Sequence, residues 1–304
     1  MKIALAQSNI IWEDKKSNLN IVEAFIKQAS KEKVDLILFP EMSLTGFTTE
    51  VEKCGEPSVL NSLDNESITS NLKLECEGNN STLGNSNISA NNNINTINKV
   101  KALAVKFSIN IGIGYIEKQL ESLKGKNNYV LISKTGAILS NYSKIHPFTF
   151  GKESSHYSGG DTIKTAWINE FNICTFICYD LRFPEIFQIA SKKAELITVA
   201  ANWPSSRKEH WITLLKARAI ENQCYIAGIN RVGSGDGLDY SGNSLIIDPM
   251  GNVVSSALDG MEGLIIGELD LDLVKSLREK FPLKNDRREN LYTELNKDIL
   301  ESIH

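Results

Sequence analysis

The sequence predicts an α/β protein in which two mixed β-sheets carry helices on their outer faces. Segments with the apolar patterns of strands alternate along the chain with segments whose apolar residues recur at helical spacing. The strands outnumber what one parallel sheet needs, and several neighbouring strands are separated by short turns typical of hairpins. Both observations favour two mixed sheets over a single doubly wound sheet.

The first half of the chain alternates strand and helix signals and ends in a hairpin. Residues 2–8 alternate like a strand, and residues 17–30 predict a helix with Ser17 as its N-cap. Residues 34–39 form a continuous apolar run ending at Pro40, the pattern of a buried strand. Further elements are a helix over 99–107, a strand over 109–117, and strands over 129–133 and 137–143 around the turn Lys134-Thr135-Gly136.

The second half continues the alternation. The predicted strands cover residues 172–179, 196–201, 225–230, 244–248, 253–257 and 264–269, and the predicted helices cover 184–192, 206–222 and 271–280. Glycines occur in GIGYIEK and VGSGDG, but neither segment opens a helix after a strand as a phosphate-binding loop does. These glycines therefore give little support to nucleotide binding.

The composition limits the classes of function. Hydrophobic residues make up 41% of the 304 residues and charged residues 23%, which excludes a fibrous or wholly disordered chain. A net charge of −4 gives no electrostatic footprint for nucleic acid or anionic lipid, so a small-molecule partner is expected. With no CxxC pair, signal peptide or membrane span, the sequence predicts no metal site and a cytoplasmic protein.

One segment departs from this composition. Residues 58–98 hold twelve Asn and seven Ser, with no Pro, Phe, Trp or Tyr. Such a segment buries too little apolar surface to offset its ordering entropy, which predicts a mobile surface insertion within a single domain spanning 1–304. A lid or partner-binding loop is the functional alternative.

Reactive residues follow the predicted buried strands at three places. Glu41 follows the run ending at Phe39-Pro40, Lys144 lies in YSKIHPF, and Cys178 ends the apolar run in ICYDLRFPE. Each alone has an ordinary structural interpretation: a solvated Glu, a Lys with its head in water, or a buried inert Cys. We assign that inert role to Cys174, four residues earlier in the same strand.

Taken together, the three residues predict nucleophilic catalysis. A thiol needs a base to become a thiolate, and with four histidines in the chain no Cys–His pair is obvious. A carboxylate base beside a lysine supplies an alternative, because the cation holds the carboxylate ionised and then stabilises an oxyanion. Glu41, Lys144 and Cys178 are therefore the candidate catalytic residues.

The motifs FPEMSLTGF, YSKIHPF and ICYDLRFPE, in this order, resemble the Glu–Lys–Cys motifs of the nitrilase (carbon–nitrogen hydrolase) superfamily. The resemblance covers nearly the whole chain apart from the Asn-rich segment. It implies a four-layer α-β-β-α sandwich, no cofactor, and assembly into a homodimer or larger oligomer. The segment AANWPSSRKEHWITLLKARAIENQCYIAGINRVGSGDG is similar to the omega-amidase branch, whose members hydrolyse the side-chain amide of 2-oxoglutaramate and 2-oxosuccinamate.

The resemblance also implies roles for individual residues. Cys178 would be the nucleophile, Glu41 the general base, and Lys144 with the backbone N–H of Tyr179 would hold the oxyanion. Glu153, in FTFGKESSHYSGGD, matches a second family glutamate that would orient Lys144 and water. The sequence departs from the family at Pro147, where Leu is common, and in the Asn-rich segment.

A keto-acid substrate carries a carboxylate, so a cation is expected near the pocket. The candidates are Arg182, Arg207 and Arg231, with Arg182 ranked last because Asp180 and Glu185 suggest a structural ion pair. Phe47 and Trp203 are predicted to contact substrate, with core packing as the alternative for Trp203. Another aliphatic amide, a carbamoylated amine or a nitrile remains an alternative substrate, and a non-catalytic binding protein an alternative function.

Overall fold

The computed structural model describes residues 1–59 and 95–303 of the chain. Its strands in chain order are β1 (Lys2–Gln7), β2 (Leu36–Leu38), β3 (Asn110–Glu117), β4 (Lys126–Ile132), β5 (Ile138–Ser143), β6 (Thr165–Ile168), β7 (Phe171–Ile177), β8 (Leu196–Ala201), β9 (Tyr225–Asn230), β10 (Val232–Gly235), β11 (Leu238–Ser241), β12 (Leu245–Ile247), β13 (Val253–Ser256) and β14 (Gly263–Glu268). Its α-helices are α1 (Lys15–Lys31), α2 (Val51–Cys54), α3 (Thr96–Phe107), α4 (Glu153–His156), α5 (Pro184–Ala190), α6 (Lys208–Asn222), α7 (Leu271–Lys280) and α8 (Glu289–Ile303).

These strands form two six-stranded mixed sheets and a two-stranded ribbon. The first sheet has the order β14-β1-β2-β3-β4-β5, the second has β13-β12-β9-β8-β7-β6, and β10 pairs with β11. In the first sheet β1, β2 and β3 are parallel, and in the second β7, β8 and β9 are parallel. The other pairs in both sheets are antiparallel. The prediction of two mixed sheets is confirmed.

Alternation along the strands builds the four layers. In β1 and β2 the side chains of Ile3, Leu5, Leu36 and Leu38 enter a core that also contains the apolar residues of β7, β8 and β9. The residues between them face the other way and pack against α1 and α3. Because α5 and α6 cover the outer face of the second sheet, the order of layers is α-β-β-α, as the resemblance implied.

Helix α1 begins earlier than the sequence predicted. Its N-cap is Asp14, whose Oδ1 accepts from Ser17 N at 3.0 Å and whose Oδ2 accepts from Ser17 Oγ at 2.7 Å. The assignment of Ser17 as N-cap was therefore wrong. Aspartate satisfies the free N–H groups as well as serine does, and its charge suits the positive end of the helix.

Helix α3 begins three residues earlier than the predicted helix over 99–107. Residues 60–94 lie outside the described residues, so the expectation of a mobile insertion is not addressed for them. The described chain resumes at Asn95, which caps α3, and Thr96 and Ile97 are already buried. The buried Glu56 accepts from the Thr96 hydroxyl and from Ile97 N, and it pairs with Lys15.

The elements that were not predicted are the short α2, α4 and β6, the β10–β11 ribbon, and the 15-residue helix α8. Two of the four residues of β10 are glycines, Gly233 and Gly235, so its composition is typical of a loop. Pairing with β11 is what makes this segment a strand. No helix in the described residues is long and apolar enough to cross a membrane.

Candidate active site

Glu41 is positioned by the turn that follows β2. Ser43 N donates to Gly114 O at 3.1 Å, which ties this turn to β3. A Cβ atom at Gly114 would collide with the backbone of Glu41 and Met42, so glycine is needed for this close approach. The Glu41 side chain is fully buried, and its Oε2 accepts from Asn202 N at 2.8 Å. The turn thus directs the carboxylate across to the second sheet.

Lys144 follows β5, and its Nζ lies between two carboxylates. Lys144 Nζ donates to Glu41 Oε1 at 3.0 Å and to Glu153 Oε2 at 2.8 Å. Glu153 opens α4 and also accepts from Phe148 N at 2.6 Å. All three charged side chains are at most 1% exposed. The structure therefore brings together three of the four predicted catalytic side chains in one buried ion-pair cluster.

Cys178 lies beside this cluster, at the junction between β7 and the 3-10 turn Cys178–Arg182. Its backbone φ is 45°, in the left-handed region that non-glycine residues rarely adopt. Its Sγ lies 3.9 Å from Asn202 O, and the residue is partly exposed at a pocket. Cys174, in contrast, is fully buried in the core as predicted.

Burial and neighbouring charges set the protonation states in the cluster. Burial, reinforced by the Glu41 carboxylate, raises the pKa of the Cys178 thiol well above its ordinary value, although Lys144 acts in the opposite direction. Burial alone would lower the pKa of Lys144, but the carboxylates of Glu153 and Glu41 outweigh it and hold that pKa well above normal. The resting state therefore combines a protonated thiol with a charged lysine.

Two asparagines that the sequence analysis did not select complete the cluster. Asn127, on β4, donates from Nδ2 to Glu41 Oε1 at 2.7 Å and to Glu153 Oε1 at 2.9 Å. Asn202, just after β8, donates from Nδ2 to Glu41 O at 2.7 Å. Asn202 follows the carboxyl end of β8 in the segment ANWP, whereas Asn127 lies at the start of β4. Neither position selects these residues from the sequence, because asparagine is also common in turns.

The loop that carries Lys144 is held by a second buried carboxylate. Asp180 accepts from Tyr142 Oη at 2.7 Å, from His146 N at 3.0 Å and from Ile177 N at 3.1 Å. Asp180 thus links the end of β5 to the turn after Cys178. The hydrogen bonds to Asp180 hold in place the loop that contains Pro147. The next residue of this loop, Phe148, lines the pocket.

Cys178 opens onto a pocket with a largely aromatic wall. Its lining residues are Phe47, Lys144, Phe148, Cys178, Tyr179, Arg182, Asn202, Trp203, Pro204, Arg207, Leu238 and Tyr240. The predicted substrate-contacting residues Phe47, Tyr179, Trp203 and Arg207 are all among them. Trp203 also packs against Trp211, with ring centroids 5.5 Å apart, so it belongs to both the pocket wall and the core.

The arginines are arranged differently from the predicted order. Arg231 is fully buried and lies behind the pocket wall, with its guanidinium 4.7 Å from the Tyr240 ring and Nη2 donating to the carbonyl of Ile10. Arg231 had been ranked ahead of Arg182 as a substrate-binding residue, and its position argues against that ranking. Burial also lowers the pKa of Arg231.

Arg182, ranked last, lines the pocket. Its guanidinium lies 4.9 Å from the Trp203 ring, and Nη2 is 3.3 Å from His210 Nδ1. Asp180, one of the two acidic neighbours expected to pair with Arg182, instead accepts the three hydrogen bonds from Tyr142, His146 and Ile177 described above. In the described part of the chain Arg182 forms no ion pair with Asp180 or with Glu185, so the expectation of a structural ion pair was wrong.

The arrangement supplies the parts that acyl transfer needs. A thiol, a buried carboxylate within reach of it and a buried ammonium meet at one end of a pocket. In the described part of the chain, no group of three or more His, Cys, Asp or Glu side chains is arranged to hold a metal ion.

Comparison with known proteins agrees with this geometry. The carbon–nitrogen hydrolase family model matches residues 2–279. The chain is 31% identical to the omega-amidase YafV of Yersinia enterocolitica, over 94% of this chain and 96% of that protein. It is also 31% identical to the 2-oxoglutaramate amidase of Bacillus subtilis, over 95% of this chain and 98% of that protein.

Solved structures show the same fold. A protein of the carbon–nitrogen hydrolase superfamily from Xanthomonas campestris, with an arsenic adduct in its active site, has a TM-score of 0.74 and 26% identity over 94% of this chain and 97% of that one. Nit3 of Saccharomyces cerevisiae, from the nitrilase superfamily, has a TM-score of 0.76 and 24% identity, over 95% of this chain and 96% of that one. The chain therefore belongs to the carbon–nitrogen hydrolase family and is an enzyme that hydrolyses an amide.

Proposed function

We propose that the enzyme hydrolyses the side-chain amide of 2-oxoglutaramate or 2-oxosuccinamate to the dicarboxylate and ammonia. The observation that carries this proposal is a buried Glu–Lys–Glu cluster beside a thiol, at a pocket that also presents two guanidinium groups. Relatives named omega-amidase and 2-oxoglutaramate amidase support the choice of substrate.

In the proposed first half-reaction, Cys178 Sγ attacks the amide carbonyl while its proton passes to Glu41. Because the thiol is protonated at rest, attack requires this transfer, and Glu41 is the carboxylate that faces it. Lys144 Nζ and the backbone N–H of Tyr179 hold the oxyanion. Glu41 then returns the proton to the departing nitrogen, which leaves as ammonia, and a thioester on Cys178 remains.

In the second half-reaction, water attacks the thioester carbonyl and gives a proton to Glu41. Glu153, which is bonded to Lys144 and to Phe148 N, holds the lysine in place and orients the water. Collapse of the tetrahedral intermediate expels the thiolate, which recovers its proton from Glu41, and the carboxylic acid is released. Both half-reactions use Glu41 as the proton carrier and require no group from outside the chain except water.

The carboxylate of the substrate needs a cation at the other end of the pocket. Arg182, over the Trp203 ring, and Arg207, 6.0 Å from the Phe148 ring, are the pocket residues that supply one. A guanidinium on an aromatic face keeps its N–H groups free for bidentate pairing with a carboxylate. We assign this role to Arg182 and Arg207 in place of Arg231.

The experiment compares kcat/KM for 2-oxoglutaramate and 2-oxosuccinamate with that for a neutral aliphatic amide of the same length. We expect a preference of about a hundredfold, corresponding to about 2.7 kcal/mol from one good ionic contact. Arg182→Met and Arg207→Met should reduce this preference, and Arg288→Met, far along the chain in an exposed turn, is the control. Equal kcat/KM on the neutral amide would refute the substrate assignment.

A neutral aliphatic amide is the second candidate substrate. Phe47, Phe148, Pro204 and Leu238 give the pocket an apolar wall that suits an uncharged chain. A preference for the neutral amide that survives both arginine substitutions would favour this alternative and leave the thioester chemistry unchanged.

A further inference from the structure

The catalytic cluster holds two carboxylates for one cation. Glu41 and Glu153 are both fully buried, and both accept from Lys144 Nζ. Two carboxylates this close repel each other, and Lys144 is a single cation shared between them. Glu41 can face Cys178 as its base only if its carboxylate is held in place, so further donors to both carboxylates are expected.

Asn127 meets this requirement. The two hydrogens on its Nδ2 are donated one to each carboxylate, at 2.7 Å to Glu41 Oε1 and 2.9 Å to Glu153 Oε1. Hydrogen bonds donated to a carboxylate favour its charged form, and an amide group does so without adding a charge. Asn127 is only 1% exposed, so bulk water does not replace these bonds.

The orientation of the Asn127 side chain follows from the same contacts. With the amide reversed, Oδ1 would face two carboxylate oxygens, so the donors must point at the cluster. Oδ1 has no hydrogen-bond partner among the described residues, so the contacts of this side chain are the two bonds that Nδ2 donates. The backbone of Asn127 also accepts from Lys144 N at 2.9 Å. One residue therefore fixes the lysine and both of its partners.

We propose that Asn127 is a positioning residue that holds the Glu41 and Glu153 carboxylates in place around Lys144, so that Glu41 faces Cys178 as its base. This inference rests on the proposed roles of Glu41 and Cys178, but it does not depend on which amide is the substrate. Without the two donated bonds the Glu41 carboxylate is held less firmly, so its acceptance of the Cys178 proton should slow.

The test uses Asn127→Leu and Asn127→Asp, which remove the donors with little change in size. The rate of Cys178 alkylation by iodoacetamide near neutral pH is measured, with modification at Cys178 identified by mass spectrometry. We expect this rate to fall at least about tenfold in Asn127→Leu and further in Asn127→Asp, which adds a third carboxylate beside the other two. For an amide that the enzyme hydrolyses, kcat should fall at least about tenfold near neutral pH, with KM nearly unchanged.

Asn128→Leu is the matched control. Asn128 is the next residue of β4, equally buried, and it donates to Glu117 on the opposite face of the sheet. Its variant should be alkylated at the rate of the unmodified enzyme. An unchanged alkylation rate in both Asn127 variants, or the same fall in Asn128→Leu, would overturn the proposal. Because alkylation needs no amide, a wrong substrate assignment would leave this result unaffected.

Discussion

At the level of single residues, Cys178 and Cys174 show how position on one strand separates a reactive thiol from an inert one. Cys174 lies within β7, fully buried among apolar side chains, and burial raises its pKa. Cys178 lies one residue past the end of β7, where Glu41 and Lys144 from the other sheet reach it. The chemistry depends on those partners, because burial alone makes both thiols poor nucleophiles.

Replacing Cys178 with Ala should abolish amide hydrolysis and leave the fold intact, since the nucleophile is lost while the neighbouring contacts remain. The loss in kcat should be at least about a thousandfold, as for other covalent catalysts. Ammonia release measures the activity, and circular dichroism checks the fold. Cys174→Ala is the control and should retain activity, because the small cavity it leaves costs only about 1–2 kcal/mol of stability. Full activity in the Cys178 variant would refute the mechanism.

The sequence predicted the charged residues of the site better than its amides. Glu41, Lys144 and Cys178 each follow an apolar strand, a place where reactive side chains are expected. Asn127 lies at the start of β4, ahead of the strand predicted over 129–133, and its role depends on how β4 sits between the Glu41 turn and the Lys144 loop. Strand pairing of that kind cannot be read from local pattern, so a local reading could not select Asn127.

At the level of elements, the 3-10 turn Leu283–Asp286 anchors the chain after α7 to the end of α5. Lys284 Nζ donates to Ser191 O at 2.5 Å, and the nearby Arg278 donates to Ala194 O at 2.8 Å. Burial, together with the positive charge of Arg278, lowers the pKa of Lys284 to about 8. The surroundings of Lys284 therefore disfavour its charged ammonium form relative to a lysine in water.

This lowered pKa gives a pH-dependent contribution to stability. Lys284 has a pKa of about 8 in the folded state, while an unfolded lysine has about 10.4. Between these values the unfolded chain binds more protons, so the contribution of Lys284 to the free energy of unfolding rises with pH. Denaturation of the unmodified protein and of Lys284→Met at several pH values gives the free energy of unfolding of each. Between about pH 8 and 10 this free energy should rise for the unmodified protein relative to Lys284→Met.

The exposed Lys280 provides the control for this measurement. Lys280→Met, at the end of α7, should show no such trend relative to the unmodified protein. Parallel curves for Lys284→Met and the unmodified protein would contradict the prediction.

At the level of the whole molecule, one apolar core joins both sheets and the helices α5 and α6. Phe176 illustrates this connection, because it is fully buried between two other aromatic rings. Its ring centroid lies 5.6 Å from that of Tyr142 on β5 and 4.6 Å from that of Phe187 on α5. The sequence predicted most strands of this core, since their apolar periodicity is local. It did not predict their order in each sheet, because order depends on long-range pairing that periodicity does not encode.

The shared core predicts that both sheets unfold together, as a single domain. Calorimetry should show one transition whose calorimetric and van't Hoff enthalpies agree. Phe176→Ala should lower the free energy of unfolding by about 3–5 kcal/mol and shift the whole transition. Phe281→Ala, at an exposed position, should have little effect. Two separate transitions, with one of them unaffected by Phe176→Ala, would show that the sheets unfold independently.

The left-handed backbone of Cys178 sets folding stability against activity at this position. A side chain in this conformation costs about 1–2 kcal/mol, and glycine would avoid the cost. Cys178→Gly should therefore melt at a higher temperature than Cys178→Ala, although both are inactive. Selection for stability alone would favour glycine here, so the catalytic role proposed for the Cys178 thiol would come at a cost in folding stability.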